Sequence, residues 1–146
     1  MLIKKNSIYR ILIPLMIFCN YLLAYMLVSE ISILGLAMFL YIIPFSFLAL
    51  VNWFTKGIEK NIGTICFFSV VNTLGYTIFA FLFERKDDFE EIVNGYTKGI
   101  GDMQVTVTVN FLAMGQIILL FLSSFAIQYV VRMICIKVRG GKNDRN

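Results

Sequence analysis

The sequence predicts an all-α polytopic membrane protein, a bundle of four transmembrane helices with both termini on the cytoplasmic side. Three observations predict it. Of 146 residues 59% are hydrophobic and 15% charged, with mean hydropathy +0.80, against roughly 45 to 50% and about 25% in soluble domains. The apolar residues fall into four runs, each near the length of about 20 residues that a hydrocarbon core of about 30 Å requires. Finally, Lys and Arg are unequally divided about those runs. Lys4, Lys5, Arg10, Lys56, Lys60, Arg132, Lys137, Arg139, Lys142 and Arg145 fall on one side and Arg85, Lys86 and Lys98 on the other. Cations collect in cytoplasmic flanks, so this division places both ends of the chain inside. The whole chain is read as one membrane domain in the cell membrane.

The first span is expected over 8–28. Lys4, Lys5 and Arg10 before an apolar run also begin a signal peptide, but this run exceeds an h-region of about 7 to 15 residues, and no small-residue cleavage site follows. It is therefore read as an uncleaved helix, with Asn20, Tyr21 and Ala24 on its protein-facing side. The second span, 31–54, carries Ser32, Gly35, Ser46 and Ala49 as a small-residue stripe. Pro14 and Pro44 are the only prolines and lie within these two spans. Each removes a backbone donor and crowds the preceding turn, which predicts a kink.

In the third span, 62–83, Cys66, Ser69, Asn72, Thr73, Tyr76, Thr77 and Ala80 recur three and four residues apart. That spacing lines one helix face. The fourth span, 105–131, repeats the pattern with Thr106, Asn110, Ala113, Gln116, Ser123, Ser124 and Gln128. Its VTVTV beginning alternates like a strand, but an unpaired strand edge cannot enter lipid, so it is read as the β-branched start of the helix. Lipid tails are as apolar as Leu, so helices associate through small residues and hydrogen bonds. Ser69, Thr73, Tyr76, Asn110, Ala113 and Ser124 are accordingly the candidate packing stripe. Asn20, Asn72 and Gln116 lie at similar depth and are the candidate intramembrane polar cluster. Tyr9, Trp53, Phe54 and Tyr129 stand near span ends, where amphipathic rings favour the headgroup level.

Outside the spans, the loop 84–104 begins ERKDDFEEIVNGYTKGIGD. Phe89, Ile92 and Val93 among carboxylates predict a short amphipathic helix, ended by Asn94 and Gly95 because both tolerate the left-handed backbone. Gly99 and Gly101 loosen the chain that follows. Residues 132–146 form a basic cytoplasmic tail, loosened at Gly140 and Gly141, whose cations favour anionic inner-leaflet lipid by about 1 kcal/mol each.

Several chemistries lack their parts. There is no His and no C-x-x-C, and Cys19, Cys66 and Cys135 are isolated, so neither a metal centre nor a thiol relay is assembled. The acids of the loop lack the spacing of a calcium-binding loop, and Gly99-Ile-Gly101 lacks the Lys and hydroxyl of a phosphate cradle. No catalytic residue, cofactor or metal is expected, and no enzyme activity. The net charge of +4 is a topology signal rather than a sign of nucleic acid.

Four short spans resemble the small multidrug transporters. Their membrane-embedded Glu has no counterpart here, because Glu30 lies in the turn from Ser29 to Ser32. Proton coupling ordinarily needs such an intramembrane group. The Lys-, Ile- and Phe-rich composition and the stretch LYIIPFSFLALVNWF resemble the small four-span membrane proteins of low-GC Gram-positive bacteria, whose role is unknown. The expected function is contact: an accessory, regulatory or immunity-type subunit that forms a homo-oligomer or joins a membrane protein partner. The alternative is a facilitator, transporter or channel with a neutral path lined by Asn20, Asn72 and Gln116.

Overall fold

We describe the chain from a computed structural model covering residues 2–54, 62–97 and 110–143. All regular structure among them is helical. Helix α1 is Leu2–Leu27; α2, Ile33–Ala37, runs through a π-helical turn, Met38–Ile42, into α3, Ile43–Phe54. After these come α4, Ile62–Glu84, the short α5, Phe89–Thr97, and α6, Met114–Asn143. Three stretches, Ile33–Trp53, Ile62–Glu84 and Met114–Val138, are long and apolar enough to cross a membrane. Ile11–Leu27 within α1 is a shorter apolar stretch.

Helix α4 packs against α1 and α6, α6 packs against α3, and the π-turn and α3 lean on α1. Half of the most apolar part of α4 is buried, against 22% for Ile33–Trp53 and 17% for Met114–Val138, so α4 is the innermost rod. Buried positions recur at three and four: Ile13, Ile17, Tyr21, Ala24 and Val28 on α1, and Leu36, Leu40, Leu48 and Asn52 along α2 to α3. The opposite faces carry exposed Leu, Ile, Met and Phe. Such a surface is at rest only in an apolar solvent.

The π-turn follows from Pro44. In a regular helix the donor to the Leu40 carbonyl is the N–H of residue 44, which proline lacks. Instead, the Ile43 N–H reaches five residues back to Met38 O. The carbonyls of Phe39 and Leu40 thereby lose their helical donors and turn to α1. The kink expected at Pro44 is thus a local widening of the helix just before it, whereas α1 runs unbroken through Pro14.

Four expectations need correction. The fourth span was expected from Val105, but residues 110–113 form a turn and α6 begins at Met114. Tertiary bonds hold this turn: Tyr76 Oη donates to Phe111 O at 3.2 Å and Leu112 N–H donates to a Glu84 carboxylate oxygen at 3.3 Å. Helix α5 continues through Asn94 and Gly95 to Thr97, held by Phe89 and Ile92 against the core. Helix α6 likewise runs through Gly140 and Gly141 to Asn143, so the basic segment begins as helix rather than as a loose tail. Ser46 is exposed, and Leu36, Leu40 and Leu48 make the inner face of the second span. Residues 105–109, Gly99, Gly101, Lys56, Lys60, Lys98 and Arg145 lie outside the described residues.

Candidate functional site

Among the described residues, two groups of buried and half-buried polar side chains join the helices. The first surrounds the π-turn. Asn20 Nδ2 donates to Phe39 O at 2.8 Å, supplying one of the carbonyls that Pro44 leaves open. The Tyr21 hydroxyl shares its proton between Leu40 O at 3.3 Å and Asn72 Oδ1 at 3.0 Å. On the far side Gln116 Nε2 donates to the Tyr41 hydroxyl at 2.6 Å, and the Tyr41 ring lies 6.1 Å from Tyr76. The three amides expected to form one cluster do not bond to one another among the described residues. Each reaches the π-turn or a phenol beside it.

Gly75 permits this arrangement. A Cβ there would lie 2.6 Å from Tyr21 Cδ2, so only glycine lets the ring settle against α4. Asn72 is fully buried, and its Nδ2 has no partner among the described residues.

The second group joins α3, α4 and α6. Asn52 Nδ2 donates to Leu48 O and to Gln128 Oε1, both at 3.0 Å. Gln128 Nε2 passes the chain of bonds to Ser69 Oγ at 2.9 Å, with Ser124 Oγ at 3.4 Å. Ser69 in turn donates to Ile65 O at 2.9 Å. No member is more than 6% exposed, and the bonds run from α3 through α6 to α4.

Of the candidate packing stripe, Ser69, Tyr76 and Ser124 are buried at helix contacts, and Thr73 is half-buried with its hydroxyl donated to Ser69 O at 2.8 Å. Asn110 is exposed in the turn before α6 and Ala113 is half-buried there, so neither continues a helical stripe. Sequence reasoning passed over Asn52, Tyr41 and Glu84. Asn52 had a signal: it lies four residues after Leu48, on the same helix face, near the same end of its span as Gln128.

Chemically, both groups consist of amides, phenols and hydroxyls, which exchange hydrogen bonds and carry no charge. An aromatic cluster seals the other end, where Phe83 meets Phe89 at 5.1 Å and Phe111 at 5.2 Å, both edge-on. At that end Lys86 donates to Ser29 Oγ and pairs with Asp88 at 3.8 Å. No metal-binding group of His, Cys, Asp or Glu occurs among the described residues.

Comparison with known proteins adds no relative. No protein-family profile, curated protein or solved structure matches the chain.

Proposed function

We propose that the chain is a four-span protein of the cell membrane, with both termini cytoplasmic, that works by contact with another membrane protein or a second copy rather than by chemistry. The observation that carries this reading is the buried chain of hydrogen bonds from Asn52 through Gln128 to Ser69 and Ser124, which ends on the Ile65 carbonyl. These side chains satisfy one another inside the bundle. They act as helix glue, each bond contributing about 0.6 to 2 kcal/mol.

The outward side of α4 offers one face to a partner. There Thr73 and Thr77 are half-exposed, and each hydroxyl is donated back to its own helix at 2.8 Å. With Cys66 and the exposed Val70 they offer a strip of small residues that another helix can approach without stranding a polar group. Crosslinking and affinity capture in mild detergent should recover an oligomer or a membrane partner, weakened by Thr73→Leu with Thr77→Leu. A monomer recovered alone from cells would refute the reading.

One observation favours a second reading, a facilitator for a small neutral solute: the unpartnered Asn72 Nδ2 stands beside an interrupted helix. Interrupted helices line the binding sites of many transporters. Solute flux into liposomes that is lost on Asn72→Leu would support it, and equal flux in empty and protein-bearing vesicles would exclude it.

A further inference from the structure

Helix α6 carries two cations within Met114–Val138, its stretch long and apolar enough to cross a membrane. Lys137 is exposed beside the end of that stretch, but Arg132 lies deeper, about 9 Å before Val138 at 1.5 Å per residue. Gln128 and Cys135, a turn before it and a turn after, are buried, whereas Tyr129 and Ile136 on its other flank are exposed. Arg132 itself is half-buried, so it stands at the seam where the packed face of α6 meets the outward one. Its Nη1 is covered and has no acceptor among the described residues.

A guanidinium is always charged, and a charge kept from water without a counterion is costly. An ionisable side chain within a span that faces the protein marks a functional contact whose counterion can be sought. Among the described residues this chain supplies none at that end. The described carboxylates, Glu30, Glu84, Asp87, Asp88, Glu90 and Glu91, gather at the opposite end, where Lys86 ties the end of α4 to Ser29 and Glu84 accepts from Leu112 just before α6. From Met114 at that end to Arg132 is about 27 Å of helix.

We infer that Arg132 is the docking point for a carboxylate on a transmembrane helix of a different protein, laid along the seam beside Tyr129 and Ile136. A swing of the side chain toward that edge sets its fork of N–H donors against both carboxylate oxygens, the geometry in which the two groups bond most strongly. A second copy in the same orientation would present its own Arg132 and no described acid. A lipid phosphate lies at the headgroups beyond Val138, and an arginine serving it would extend outward to that level instead of covering a nitrogen inside the bundle. The inference rests on the contact reading and sharpens it, because it chooses a different protein over a second copy.

The test uses the full chain, labelled with a donor fluorophore, in phosphatidylcholine vesicles with acceptor-labelled Leu-rich transmembrane peptides. Each peptide carries one Glu or one Gln about 9 Å inside the end of its apolar run, the depth of Arg132, and energy transfer reads association. The Glu peptide should bind about tenfold more tightly than the Gln peptide, which is about 1.4 kcal/mol. Arg132→Gln should abolish the difference, Arg132→Lys should keep part of it, and Glu90→Gln at the far end should leave it intact. The isolated Arg132→Gln chain should unfold no more readily than the parent, since it loses no bond, and that measurement also shows the variant to be folded. Equal binding of the two peptides, or none of either, would overturn the inference and leave the contact reading standing; a solitary monomer recovered from cells would remove that reading itself. Loss of the preference in phosphatidylglycerol vesicles would assign Arg132 to lipid phosphate and overturn the inference too. So would destabilisation by Arg132→Gln that Glu59→Gln reproduces, because the counterion would then belong to this chain, in a segment outside the described residues.

Discussion

Gly75→Ala tests the centre of this architecture with a single methyl group. The added Cβ would stand 2.6 Å from Tyr21 Cδ2 and 2.9 Å from Cε2, where carbon atoms at rest keep about 3.5 to 4.0 Å. The ring must therefore retreat by about 1 Å. Its hydroxyl sits 3.0 Å from Asn72 Oδ1 and 3.3 Å from Leu40 O, so a retreat of that size lengthens both contacts beyond hydrogen-bonding range. Overpacking costs about 1 to 3 kcal/mol, and each lost interhelical bond about 0.6 kcal/mol. Alanine returns about 1 kcal/mol of helix propensity, which leaves a net loss of about 1 to 3 kcal/mol. Gly115, where an added Cβ meets nothing within 4 Å, is the control and should be neutral or slightly stabilising as alanine. Reversible unfolding in bicelles by steric trapping reads both. If Gly75→Ala is as stable as the parent chain, Tyr21 does not rest on α4, and the account of the π-turn falls with it.

Other consequences concern the remaining bonds. Gln128→Leu should destabilise by about 1 to 2 kcal/mol, and a double-mutant cycle with Asn52→Leu should give a coupling near 0.6 kcal/mol; additive losses would refute the bond between the two amides. Pro44→Ala restores the donor to Leu40 O, so the cost of Tyr21→Phe should shrink in that background, and an unchanged cost would mean that the phenol does not replace the missing N–H. Glu84→Gln removes a charged acceptor from Leu112 N–H, a bond of about 1.5 to 3 kcal/mol, so hydrogen exchange at Leu112 should quicken about tenfold or more. Tags at Met1 and Asn146 should be reached only after the cell is opened, and a cysteine replacing the exposed Glu90 should be labelled on intact cells; the reverse pattern would invert the proposed topology.

The sequence by itself determined the solvent. Its helical apolar runs, the absence of any charge deep within the second, third and fourth, and the spacing of Ser69, Asn72 and Tyr76 are local properties of the chain, because period and hydropathy need no partner to be read. It also marked Pro44 as a point of interruption. Only the tertiary structure decided what the interruption is used for. That proline opens the carbonyls of Phe39 and Leu40 follows from covalent structure, but that Asn20 and Tyr21 arrive from α1 to take them depends on how four rods settle together. Asn52 and Gln128 are 76 residues apart, and no periodicity within either helix connects them. The start of α6 at Met114 and the persistence of α5 past Gly95 are likewise set by Tyr76, Glu84, Phe89 and Ile92, contacts made across helices that outweigh local propensity. Patterns within one helix declare which faces avoid lipid; the choice of partner across those faces is a property of the assembled bundle, where one hydrogen bond made or missed is comparable to the whole local preference.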